Sequence, residues 1–185
     1  MIAKCIRQFL ISVIALLPFV LYGCSGLEKA VNEYRGDGDI RYIKGPLLGR
    51  DGVVVDMEDF CLREEFSASY SLLNLPKGEY YVFYLFIPCT LDNQRLTHSK
   101  LTVRLMRGGL LLKKASSSFA RMRRAEGGGR CELYFSDELH FSPGNEMSFD
   151  VDELSSDLSI SISGEVPRMS DQVFVHVRIA MGGSK

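Results

Sequence analysis

Residues 66–72 read Phe66-Ser67-Ala68-Ser69-Tyr70-Ser71-Leu72, with apolar and hydroxyl side chains in strict alternation. Successive side chains of a strand point to opposite faces, so this order builds one face for a core and one for water. The same period returns near the C-terminal end, where Val173, Val175, Val177, Ile179 and Met181 fall on one side of a single strand. Between the two, Tyr80 to Ile87 is an unbroken aromatic and aliphatic run bounded by Gly78 and Pro88. That run predicts a central strand covered on both faces.

Working outward, strands are expected at Val53 to Met57, Leu101 to Met106, Leu110 to Lys113, Cys131 to Phe135, Met147 to Val151 and Leu158 to Ser163. Gly108-Gly109 separates two of them and can take the positive φ that a tight hairpin requires. About eight or nine short strands without a long helical pattern predict an all-β fold, an antiparallel β-sandwich, immunoglobulin-like or similar, of about eight strands. A small β-barrel is the alternative.

Two turns repeat one device, Pro then Gly just before a strand. They are Leu75-Pro76-Lys77-Gly78-Glu79-Tyr80 and Phe141-Ser142-Pro143-Gly144-Asn145-Glu146. The first resembles the tyrosine corner of immunoglobulin and fibronectin sandwiches, in which a Tyr hydroxyl bonds back to the backbone. The resemblance implies that role for Tyr80. The absence of Trp and the Cys spacing do not extend it to the whole domain.

Composition excludes several classes. With 46% hydrophobic residues, 185 residues in all and a formal charge of −1, the chain is neither disordered nor a wholly basic nucleic-acid binder. The N-terminus has its own pattern: Lys4 and Arg7, then an apolar stretch from Phe9 to Tyr22, too short to span a bilayer comfortably. Leu21, Gly23 and Cys24 match the lipobox of bacterial lipoproteins, with Tyr22 a departure at the position between. The resemblance covers about the first 25 residues and implies that residues 1–23 are a signal peptide and that Cys24 becomes a lipidated N-terminus. It also implies that Ser25, which is not Asp, favours outer-membrane delivery, facing the periplasm. An uncleaved anchor helix and a plain secretory signal are the competing readings.

Cleavage would shift the formal charge to −3 by removing Lys4 and Arg7, and would leave 162 residues. Ser25 to Arg35 has helical spacing at Leu27, Ala30, Val31 and Tyr34, and Gly36-Asp37-Gly38-Asp39 breaks it. Residues 24–39 thus read as a lipidated tether with a docking helix, and 40–185 as the sandwich domain. Cys61, Cys89 and Cys131 allow at most one intramolecular disulfide, its pairing open. No metal-ligand spacing and no cofactor motif occurs.

Charge is segregated. Lys113, Lys114, Arg121, Arg123, Arg124 and Arg130 face the single acid Glu126 over that span, whereas Cys131 to Pro167 holds nine acids and no Lys or Arg. The basic stretch reads first as a solvated loop balanced by those acids, and second as a contact for an anionic glycan, lipid or envelope partner. Gly127-Gly128-Gly129 loosens it. His98, His140 and His176 are too dispersed for a local metal motif, and there is no nucleophile elbow. No catalytic residue is assigned. His176, between Val175 and Val177, is expected to be a half-exposed sheet residue. The expected function is binding or scaffolding in the cell envelope by a membrane-anchored lipoprotein, without nucleic acid. The alternatives are a secretion-system anchoring subunit and an envelope glycan or lipid hydrolase, which needs two acids, or His and an acid, to converge.

Overall fold

The computed structural model describes residues 26–45, 51–89, 99–118, 122–124 (backbone only), 129–133, 147–152, 157–168 and 172–181. Cys24, Arg121, His98 and His140 lie outside the described residues. A helix at 26–32 is followed by twelve described strands: β1 Asp39–Ile43, β2 Gly52–Asp56, β3 Phe60–Leu62, β4 Glu65–Ser71, β5 Gly78–Pro88, β6 Lys100–Arg107, β7 Leu110–Ser117, β8 Met122–Arg124, β9 Arg130–Leu133, β10 Ser148–Val151, β11 Leu158–Glu165 and β12 Val173–Met181. Every pairing is antiparallel.

The strands form two sheets, as the alternation predicts for a sandwich. One is β4-β11-β6-β7. The other has eight strands along β1-β2-β12-β5-β9-β8, with β3 beside β2 on one edge of β12 and β10 beside β9 on one edge of β5. The core fills the space between them: Tyr81, Phe83, Leu85 and Ile87 of β5 and the Val173-to-Met181 row of β12 on one side, Leu101, Val103, Leu105, Ile160 and Ile162 on the other. Burying a side chain of this size contributes roughly 1.5–3 kcal/mol, which makes this layer the main source of stability.

Local chemistry explains the joints. Gly108 and Gly109 sit at φ 55° and 83° between Arg107 and Leu110, the double left-handed turn whose twist matches two paired strands. Tyr34 is buried in the core, its hydroxyl donating to the Asp37 carbonyl at 2.7 Å, while the N–H groups of Arg35 and Asp37 donate to the carbonyls of Leu73 and Ser71. Leu27 and Val31 of the helix pack against the same core. The segment read as a tether with a docking helix thus packs on the body of the sandwich.

The corner before β5 is built on Tyr81, not on Tyr80. The Tyr81 hydroxyl donates to the Pro76 carbonyl at 2.7 Å in a fully buried site, and Tyr80 is 69% exposed. The reason is a bulge: the β5–β10 register shifts between Phe149 and Val151, Tyr80 takes φ 58°, and its N–H donates to the Asp150 carboxylate at 2.8 Å. One extra residue turns Tyr80 outward and hands the core position to its neighbour.

Candidate functional site

A second difference from the sequence reading marks the site. Strand β5 is not covered on both faces: Val82, Tyr84 and Phe86 alternate with its buried residues and are only half-buried, on the outer face of the large sheet. On the neighbouring strand β12, the outward residues are Phe174, His176 and Arg178, and the register sets His176 opposite Phe86 and Arg178 opposite Tyr84. On the far side of β12, Asp56 of β2 stands opposite Arg178. Pairing of β2, β12 and β5 thus carries five chemically distinct side chains to one surface.

Their contacts form a continuous cluster. The Tyr84 and Phe86 rings lie 6.0 Å apart with planes 14° from parallel, and the His176 ring is 6.1 Å from Phe86. The Arg178 guanidinium carbon sits 5.6 Å from the Phe86 centroid, a cation held over an aromatic face. Arg178 Nε donates to Asp56 Oδ1 at 2.6 Å, and Arg41 bonds the other oxygen, Oδ2. His176 reaches Asp56 Oδ1 through Nε2 at 3.1 Å and Asp59 Oδ1 through Nδ1 at 2.8 Å. Partial burial alone would raise the Asp56 carboxyl, but Arg178 first, then His176 and Arg41, outweigh it and hold the group below its ordinary range. Burial raises the Tyr84 phenol, with Glu132 adding to the effect. The result is a half-buried strip of two stacked aromatic rings beside charges that are already oriented by one another.

No family model and no curated protein matches the chain. A solved structure of a carbohydrate-binding module, TmCBM61 in complex with β-1,4-galactotriose, is similar to it over 85% of this chain and 94% of that one, at 18% sequence identity and a TM-score of 0.29.

The residues singled out from sequence fall elsewhere. Lys113 and Lys114 are on β7, where Lys113 pairs with buried Leu105 and its Nζ crosses to the other sheet, donating to the Ser148 carbonyl at 2.7 Å. Lys114 is exposed on the opposite face of the strand. Arg123 and Arg124 are in β8 and Arg130 in β9, at one edge of the large sheet. The stretch read as a long basic loop is thus, where described, the end of one strand and two more, split between the sheets. Cys89 and Cys131 form a disulfide with Cα atoms 5.0 Å apart, set by the Ile87–Cys131 register, and Cys61 is free. Among the described residues no group of His, Cys, Asp and Glu could hold a metal ion.

Sequence reasoning placed His176 on a half-exposed face but did not find its partners, which are 117 and 120 residues away. The outward positions of β12 carry His and Arg, but which strands lie beside them is not written in the sequence.

Proposed function

We propose that this chain is a bacterial lipoprotein, acylated at Cys24 and held at the periplasmic face of an outer membrane, whose sandwich binds an envelope glycan on the outer face of its large sheet. The anchor is supported by Leu21, Gly23 and Cys24 in the lipobox pattern. The binding reading is carried by one observation, the near-parallel Tyr84 and Phe86 rings fixed beside Arg178 and His176. The C–H face of a sugar ring packs on such an aromatic strip, and the bordering guanidinium, carboxylate and imidazole groups exchange hydrogen bonds with hydroxyls. Because ion pairs already orient these groups, little side-chain freedom is lost when the ligand arrives.

Convergence of His176 with Asp56 and Asp59 also bears on the hydrolase reading. A carboxylate only accepts hydrogen bonds, so a neutral imidazole satisfies one of the two acids and the imidazolium both. Both ring nitrogens are directed at carboxylates, Nδ1 at Asp59 and Nε2 at Asp56. The triad braces the surface, and binding is the reading it favours.

The test is cosedimentation with purified peptidoglycan and affinity electrophoresis in lipopolysaccharide-derived polysaccharide. Phe86→Ala and Tyr84→Ala are expected to weaken binding by roughly tenfold or more, as truncation of a central aromatic contact does. Lys114→Ala, on the other sheet, is expected to leave it unchanged. Wild-type binding by Phe86→Ala would overturn the glycan reading. Palmitate labelling and membrane fractionation of wild type against Cys24→Ala test the anchor separately, and label retained by the variant would refute it.

A further inference from the structure

The tip of the β6–β7 hairpin exposes Leu110, Leu111 and Leu112 at 68%, 47% and 44%. Three consecutive leucines face solvent because the register slips between Leu105 and Met106, which cancels the alternation that would have hidden one of them. They lie on β7, which ends the order of the four-stranded sheet. An apolar edge of this kind is an aggregation hazard unless something covers it.

Charge and position identify the cover. The hairpin from Ser99 to Ser118 contains no acid, and Arg107 and Lys114 are its exposed bases beside the leucines, with Asp157 the acid that reaches the turn, its carbonyl accepting from the Gly108 N–H at 3.0 Å. The cross-strand row through the tip runs Ser71, Ser159, Met106, Leu111. Ser71 is also where the N-terminal segment docks, since its carbonyl accepts from the Asp37 N–H and its own N–H donates to the Asp37 carboxylate at 2.6 Å. Three strand spacings, roughly 14 Å, separate that docking point from Leu111. The helix at 26–32 leads into the same point, and Cys24 precedes the helix by two residues.

We infer that the β6–β7 tip is a second membrane contact: Leu110 to Leu112 enter the interface of an anionic phospholipid leaflet while Arg107 and Lys114 stay at headgroup level. The inference rests on the anchoring proposed above, which would hold the domain at a bilayer. Apolar side chains rimmed by bases suit an interface of this charge, and such a contact adds to a lipid anchor.

The chain contains no Trp, so Leu111→Trp in the full-length protein gives one unambiguous reporter. Its emission is read in phosphatidylglycerol vesicles with and without brominated acyl chains, in backgrounds with Cys24 and with Cys24→Ala, and Phe174→Trp serves as the reporter on the other sheet. A blue shift and bromine quenching at position 111, absent at 174 and lost when Arg107 and Lys114 are both changed to Glu, is the expected result. If palmitate labelling and flotation are intact but the emission at 111 stays that of the protein in water, the tip contact is wrong and the anchor stands. If label is absent and the shift still occurs with added vesicles, the anchor is wrong and the tip contact stands. Capture of another protein by a photocrosslinker at 111, without any shift on vesicles, overturns the membrane contact in favour of a protein partner.

Discussion

Tyr81 donates its phenolic hydrogen to the carbonyl of Pro76, five residues earlier, inside a site closed to solvent. The bond ties the turn before β5 to the centre of the core, where the Tyr81 ring also stacks on Phe149 at 5.5 Å. Tyr81→Phe keeps the ring and leaves the Pro76 carbonyl short of a donor. It is expected to lower unfolding free energy by about 1–3 kcal/mol in urea titrations. Tyr80→Gly, one position away, relieves a left-handed backbone and is expected to be neutral or to stabilise by up to about 1 kcal/mol.

Asp56 connects β1, β2 and β12 through Arg41, Arg178 and His176. Its carboxyl is held below the ordinary value, so the stability it contributes is complete above the unfolded value of about 3.9 and is lost as pH falls through the folded one. Asp56→Asn should therefore flatten the acid limb of a stability-versus-pH curve. Since Arg178 then loses its anchor beside Phe86, the same variant should weaken glycan binding at neutral pH, which affinity electrophoresis would register.

Alkaline pH acts through the phenols. Burial raises Tyr34, with Asp37 adding to the effect, and burial alone raises Tyr81; Tyr70 is pushed up to about 12 by burial first and then by Asp59, Glu58 and Asp37. A raised folded value means stability present below the unfolded value of about 10 and lost as pH climbs through the folded one. Absorbance at the phenolate band should show these three ionising together with loss of the fold.

The Cys89–Cys131 bridge closes a separation of 42 residues. Opening it by Cys89→Ser with Cys131→Ser is expected to cost about 2–4 kcal/mol, measured by thermal or urea unfolding. In non-reducing alkylation of the native protein, Cys61 should label and the bridged pair should not.

Gly109 has open space around its α-carbon but a φ of 83°, so Gly109→Ala tests conformation alone. A loss of about 1 kcal/mol is expected from the strained turn, with binding of glycan unaffected.

Much of the fold was legible because a strand with one wet face writes a period of two, and each of the nine predicted runs is at least partly a strand. Of the three that escaped, Phe60–Leu62 and Met122–Arg124 are three residues long, too short to show a period, whereas Asp39–Ile43 does alternate, with Ile40 and Tyr42 between Asp39 and Arg41, but follows directly on a glycine-rich break. The corner was misplaced by one residue since a bulge is a property of the pairing between β5 and β10, invisible in either strand alone. The outer-face cluster was hidden for a related reason. Asp56 and Arg178 are 122 residues apart and meet only through the β2–β12 register. The disulfide partners, too, are chosen by register, which spacing between cysteines does not encode.

The helix at 26–32 spends its apolar side on the sandwich, through Leu27 and Val31. A stalk used in this way has no slack. Only Ser25 lies between Cys24 and the helix, a leash of roughly 7 Å over two Cα steps, so an acylated form would hug the leaflet and would search only the layer of wall polymer nearest to it. Lengthening that leash, not strengthening the grip, is the change that would let the domain reach polymer farther away.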